Sequence, residues 1–397
     1  MIIDVVRATI FTPAGTDHRG GVNWGLPICF WGGPGLGKTY RLSGLARAYN
    51  FWLEVLSPGE RGEGAFGVTP VPSPGNKVLN YPAPDWVIEL VDGGVLLLDE
   101  VNQAPPPMQA AIMGILLGKR VGGHYLGGRV RTLCAANPTD QAAGGYDFAP
   151  PVANRMGHLP WPDAAPDDWA TWLLSDTSLD TASGEVTAEA EEARVLAAWS
   201  APHAHARGLV AGFIRARGEL LHKMPPAGSP DLGRSWGSPR TWEMACRAKA
   251  SAAVHNLDAE DTESFVSAFV GQGSAGELFA YADKLDLPNP ADVLDGRVTF
   301  KHDPRRLDRT AAVLSSCHAL VVPAAAEKRR ERTSKLWQML ADKQLLDEAM
   351  DVAFGSVRAL VHARLHATKD AYGVLAKMLP LLRAAGISYD PNAKHED

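Results

Sequence analysis

At 397 residues, 46% apolar and 21% charged, the chain has the composition of an ordinary globular protein long enough for two or three domains. Its net charge of −6 offers no global field for nucleic acid or acidic membranes, and no apolar run approaches a transmembrane length. Cys29, Cys134, Cys246 and Cys317 form no metal-ligand pattern, and Asp4 and Arg7 interrupt the first residues, so a reduced, cytoplasmic protein without a signal peptide is expected.

Up to about Pro162, short apolar runs alternate with Gly- and Pro-rich connections. Strands are predicted at Ile28–Trp31, Phe51–Val55, Val95–Asp99 and Thr132–Ala135, with helices at Thr39–Tyr49 and Met108–Leu117. That alternation indicates an α/β sheet covered by helices. Between Ser57 and Pro84 the periodicity is lost, which predicts a long functional loop or hairpin insert, and "GKRVGGHYLGGRVR" (118–131) reads as a small β-hairpin. Phe66, flanked by glycines in "GEGAFGVTPVP" (62–72), is a candidate partner contact or a local anchor.

Beyond Pro162 strand signals fade, and helical composition dominates 186–222, 239–256 and 260–284. "LDLPNPADVLDG" (285–296) breaks this region. Leu346, Met350, Ala353, Val357, Leu360/Val361 and Leu365 set one amphipathic register by their spacing of three and four. The basic run "EKRRERTSK" (327–335) is interleaved with glutamates, as on a solvated helix face. The expected division is an α/β core over 1–162, a helical lid over 163–296 and a helical bundle over 297–397.

"FWGGPGLGKTY" (30–40) fits a phosphate-binding loop between a strand and a helix. Gly32, Gly33, Pro34, Gly35, Leu36, Gly37, Lys38, Thr39 and Tyr40 make up the candidate cradle. Its glycines let backbone N–H groups converge on phosphate oxygens, and the following helix turns its positive N-terminus to the same oxygens. Lys38 would reach the β- and γ-phosphates, and Thr39 would supply a hydroxyl to Mg²⁺.

"LLLDEVNQAPPPMQ" (96–109) places two carboxylates where a buried strand ends, because Pro105 to Pro107 cannot continue a sheet ladder. Open α/β sheets bind their ligands at that end. Asp99 is the candidate second metal ligand and Glu100 the group that polarises an attacking water. Cradle and carboxylates together point to ATP hydrolysis with Mg²⁺. Base-recognising contacts are expected near Val22–Pro27.

The sequence resembles the AAA+ ATPases, and within them the MoxR-like group, over roughly residues 25–285. "DEVNQAPPPMQAAIMGIL" resembles that group's extended Walker B segment, although Gln103 stands where arginine is common. "CAANP" (134–138) resembles the sensor-1 strand end, making Asn137 the polar residue near the γ-phosphate. "PPVANRMGHL" (150–159) resembles the segment ending in the arginine finger, which nominates Arg155 in trans, with Arg131 or Arg129 next. Met156 stands where phenylalanine commonly follows. "GSPRTWEMA" (237–245) resembles the sensor-2 motif and nominates Arg240. The resemblance implies a parallel sheet in 5-1-4-3-2 order, a helical lid, and a ring, usually a hexamer. It also implies remodelling or maturation of a protein client, with a von Willebrand factor A domain protein as the partner type. No membrane insertion is expected. The alternatives from other classes are the NTPase motor of a nucleic-acid-processing complex and a nucleotide-gated scaffold.

Overall fold

The computed structural model describes residues 2–67, 70–75, 78–138, 141, 145–174, 187–285, 287–321, 324, 326–363, 365, 372–385 and 387. Its contacts group into two units, Met1–Ala197 with Leu220–Gly276, and Ala198–Glu219 with Glu277–Asp397. The expected boundaries at 162 and 296 do not coincide with these units. Residues 220–276 cluster with the α/β core, while 198–219 and 277–296 cluster with the C-terminal helices. One long helix, Ala188–Ala216, contributes residues to both.

The first unit is built on five parallel strands: β1 (Ile28–Trp31), β2 (Leu53–Leu56), β3 (Gly94–Leu98), β4 (Val130–Ala136) and β5 (Gly157–Pro160). They lie in the order β5-β1-β4-β3-β2, as the resemblance implies. Every residue of β3 and β4 is buried, as continuous apolar strands covered on both faces must be. Gly94 opens β3 at φ 144, where a Cβ would strike the Trp52 carbonyl. The register sets Ala136 opposite Trp31 and Cys134 opposite Leu98. Gly32, Asp99 and Asn137 therefore leave one edge of the sheet almost level with each other.

The predicted second strand starts late, because Phe51 N–H donates to the Ala46 carbonyl and closes the preceding helix instead. The helices around the sheet include α1 (Ile2–Ile10), α2 (Lys38–Ala48) and α3 (Pro106–Gly118). Then follow α4 (Pro166–Leu174), α5 (Ala188–Ala216), α6 (Pro239–Val254) and α7 (Ala259–Val270). A capping box between Ser238 and Thr241 starts α6. Gly271, at φ 83, breaks the predicted 260–284 helix into α7 and Gln272–Leu285. No helix among the described residues is long and apolar enough to cross a membrane.

The insert holds a short helix (Pro58–Arg61), a tight turn (Glu63–Phe66) and a two-residue ladder of Val71–Pro72 with Leu79–Asn80. Residues 68–69 and 76–77 of it lie outside the described residues. Phe66 is 1% exposed, packed in the core with Trp86, Met108 and Ile112, so the anchor reading holds and the partner-contact reading does not. Trp86 Nε1 fixes the same turn by donating to the Ala65 carbonyl at 2.8 Å. The 118–131 hairpin forms as Arg120–Val121 paired with His124–Tyr125.

In the second unit Trp337 and Leu336, both fully buried, sit in one apolar cluster with Ala353, Val357 and Leu360. The predicted single register is two helices, Lys343–Glu348 and Met350–His362, because Ala349 leaves the helical region (φ −143, ψ 43). That break buries Ala349 and leaves Met350 38% exposed.

Candidate functional site

The loop from Gly32 to Gly37 climbs out of β1 and enters α2 through Gly37 at φ 73, with Gly35 at φ 79. Both conformations favour glycine, and nothing lies within 4 Å of where a Cβ would stand on either. An open backbone concavity is what an anion cradle requires. On its other side the loop is tightly backed. A Cβ on Gly32 would meet Trp161 at 2.9 Å, and Trp161 Nε1 donates to the Leu36 carbonyl at 3.3 Å.

Lys38 is 7% exposed, and its Nζ donates to the Gly32 carbonyl (2.7 Å), the Gly33 carbonyl (2.9 Å) and Asn137 Oδ1 (2.9 Å). Burial lowers its pKa, and the Asp99 and Glu100 carboxylates oppose that shift. Thr39 Oγ1 donates to Asp99 Oδ2 at 2.5 Å. Two hard oxygen donors thus meet beside the cradle, which suits Mg²⁺ held jointly with phosphate oxygens and water. Tyr40, 44% exposed, points away from this network and sets its ring 5.7 Å from that of Trp172 on α4.

Glu100 has left-handed backbone angles (φ 50, ψ 38), and its amide donates to Asp99 Oδ1 at 2.9 Å. Its side chain accepts from Asn137 Nδ2 at 3.4 Å and from Gln103 Nε2 at 2.6 Å. Lys38, Asn137 and Glu100, drawn from three different elements, form one continuous network. Asn102, fully buried, belongs to the 96–109 segment but carried no assigned role there. Its Nδ2 donates to the Asn137 carbonyl at 2.9 Å and fixes the strand end that carries Asn137. Its position three residues after Asp99, on the same turn, was the available signal.

Arg155 and Arg240 do not join this network. β5 runs parallel to β1 with Gly157 opposite Ile28, so Arg155 precedes the end of the sheet remote from the phosphate loop. The strand alone spans about 13 Å. Arg155 Nη1 donates to the Pro151 carbonyl at 2.7 Å and touches Met113 Sδ at 3.2 Å. Arg240, exposed on the first turn of α6, donates to the Asn154 carbonyl at 3.5 Å. Burial and the neighbouring Arg240 charge lower the Arg155 pKa.

The reserve candidates are engaged within the chain. Arg131 is 1% exposed, pairs with Glu192, donates to the Ile10 and Arg129 carbonyls, and lies 4.5 Å from the Phe51 ring centroid. Arg129 pairs with Glu189 at 2.7 Å. Both belong to the start of β4, away from Asn137.

Two cavities lie near the site, and neither is lined by Asp99, Glu100, Asn137 or any residue from Gly32 to Tyr40. One of about 440 Å³ is lined by Ile2, Ile3, Val5, Leu159 and Pro160, with Arg41 of α2 and Asp163 and Asp168 at its polar side. The other, about 750 Å³, is lined by Trp31, His158, Lys223, Arg234 and Trp236, and no residue of the cradle from Gly32 to Tyr40 reaches it. In Val22–Pro27, where base contacts were expected, Val22–Trp24 pairs with Pro13–Thr16, and the stretch leads into the far end of β1.

No family model matches the chain, and no curated protein does. Among solved structures, it is similar to a Cytophaga hutchinsonii protein provisionally named an ATPase, with TM-score 0.45 and 16% identity over 68% of this chain and 80% of that one. So slight a likeness carries no weight beside the topology. The 5-1-4-3-2 parallel sheet, the glycine loop leaving its first strand and the helices that follow are a P-loop α/β fold of the AAA+ kind, with a further helical region at the C-terminus.

Proposed function

We propose that the chain is a MoxR-like AAA+ ATPase, cytoplasmic, that couples Mg²⁺-ATP hydrolysis in a hexameric ring to remodelling or maturation of a protein client. The observation that carries the chemistry is the continuous Lys38–Asn137–Glu100 network beside the Thr39–Asp99 pair, beneath an open glycine loop. Lys38 binds the β- and γ-phosphates by exchanging its loop-carbonyl bonds for phosphate oxygens. Thr39 and Asp99 would hold Mg²⁺, which would supply neutralisation of phosphate charge. Asn137 orients the γ-phosphate end. Glu100 accepts the proton of the attacking water. The 440 Å³ cavity takes the base: its aliphatic walls suit a purine face, and Asp163 and Asp168 suit an exocyclic amine.

The placement of Arg155 and Arg240 supports completion of the site by a neighbouring copy. A head-to-tail contact of that kind closes into a ring when the rotation between copies divides a full turn. On α4, where no residue is buried, Trp169 (52% exposed), Leu173 (57%) and Leu174 (86%) follow Asp167 and Asp168. Such an apolar, acidic face beside Tyr40 complements the arginine end of another copy. The client or a von Willebrand factor A domain partner would meet the insert hairpin, where Val71, Val78, Leu79 and Tyr81 are 44–60% exposed.

Two variants test the chemistry. Lys38→Ala should abolish nucleotide binding, and Glu100→Gln should keep binding and stop hydrolysis, measured by fluorescent-nucleotide titration and phosphate release. Wild-type turnover in Glu100→Gln would overturn the reading.

A further inference from the structure

The Glu100 carboxylate is gripped at both oxygens. Oε1 faces Asn137 Nδ2 at 3.4 Å, a long contact on the cradle side, and Oε2 accepts from Gln103 Nε2 at 2.6 Å, a short one. Only an N–H suits a carboxylate, so the Gln103 amide must turn its nitrogen to Glu100 and its oxygen outward. That oxygen lies against Gly59, where a Cβ would collide with it. Gly59 sits inside the short helix Pro58–Arg61 and has no left-handed φ, so its backbone would accept any residue; the space for Gln103 is what requires glycine. This helix follows β2 by one residue and leads to the turn that Phe66 anchors in the core.

We propose that Gln103 is a positioning residue for hydrolysis, holding Oε2 so that Oε1 is presented toward Asn137, and that Gly59 sets the position of Gln103. A carboxylate tied at one oxygen cannot rotate, and the loosely held oxygen is left to take the proton of the water. The insert is thereby linked to the hydrolytic group through one amide, since any shift of Pro58–Arg61 moves the contact that seats Gln103. The inference rests on Glu100 being the base.

Gln103→Leu should lower kcat about tenfold, a fraction of what a general base contributes, and leave KM and the nucleotide Kd within about twofold. Gln103→Glu keeps the shape but sets a like charge against Glu100, so it should lose at least as much; a packing role would leave it near wild type. Gly59→Ala displaces only the end of a flexible side chain, so the fold should persist, checked by circular dichroism, with kcat falling as in Gln103→Leu. Combined with Gln103→Leu it should add nothing, because both act on one contact. Full kcat in Gln103→Leu, or additive losses in the double variant, would overturn the proposal. Glu100→Gln run alongside separates the failures. If it is inactive while Gln103→Leu is fully active, the positioning role alone is wrong; if it is fully active, the assignment of the base is wrong.

Discussion

Arg155 and Arg240 lie within reach of each other's charge at the end of β5 that faces away from Lys38. Neither is in an ion pair among the described residues. Two unpaired arginines held together gain nothing from each other, and Arg155 loses part of its affinity for its proton. The dianionic γ-phosphate of ATP bound to a second copy would relieve both. Arg155→Ala should bind ATP with near-normal affinity and hydrolyse it about 10³-fold more slowly or worse. Mixing it with Lys38→Ala subunits pairs an intact cradle with an intact finger at some interfaces. Recovered phosphate release in the mixture is the expected outcome, and its absence would place the arginine elsewhere.

Nucleotide should promote assembly, because a site completed by a neighbour binds nucleotide better in the oligomer. Sedimentation velocity of Glu100→Gln with and without ATP reads this directly. Trp169→Glu, which buries no existing contact surface, should leave nucleotide binding intact and block the ATP-dependent shift. A monomer at micromolar concentration under both conditions would count against the ring itself.

The anchored Phe66 gives a different expectation from a partner-contacting one. Removing a fully buried phenylalanine costs about 3–5 kcal/mol, so Phe66→Ala should lower the urea midpoint of the whole first unit. Leu79→Ser on the exposed hairpin should change stability by less than about 0.5 kcal/mol. Introduced into the Glu100→Gln trap, Leu79→Ser with Tyr81→Ala should reduce the protein that co-purifies with ATP present, while sedimentation of the trap is unchanged.

The phosphate-loop end of the sheet was legible because each part is a local signal: a glycine spacing before Lys38, a carboxylate pair before prolines, and Asn137 closing an apolar run. What those signals could not give was direction across the fold. Arg240 begins a helix whether α6 starts above the sheet or below it, and only the contact with Asn154 fixes which. The choice between the two readings of Phe66 stayed open for a related reason. A glycine-flanked aromatic reads as exposed, but the core that covers it comes from Trp86, Met108 and Ile112, residues from segments remote in sequence. Gln103 was visible only as a departure from a pattern, since its partner Gly59 is 44 positions earlier.

The last expectation concerns acid. His158 is 7% exposed; its Nδ1 accepts from Trp31 Nε1 at 3.0 Å, so Nε2 carries the proton and donates to the Ala153 carbonyl at 3.0 Å. Burial pulls its pKa down to about 4, with the Arg234 guanidinium over Trp31 acting the same way. His255 is held at about 4 as well, by burial and by Arg194 and Arg7, with Glu191 opposing. Both rings are neutral in the folded protein and take up a proton near pH 6.5 when unfolded. Their stabilisation is thus complete above pH 6.5 and is lost as pH falls toward 4, where the folded rings protonate too. In that window the unfolded state binds more protons, so stability rises with pH. Each histidine should contribute a slope of about 1.4 kcal/mol per pH unit near pH 5, and on the order of 3 kcal/mol over the window. His158→Gln should lower stability at pH 7, by disturbing the Trp31 contact, yet flatten the dependence between pH 6 and 4.5 by about one proton. Urea denaturation at half-unit pH steps reads the slope independently of the offset. An unchanged slope in the variant would mean that His158 is protonated in the folded state near its ordinary pKa, and that the tautomer assigned from Trp31 and Ala153 is wrong.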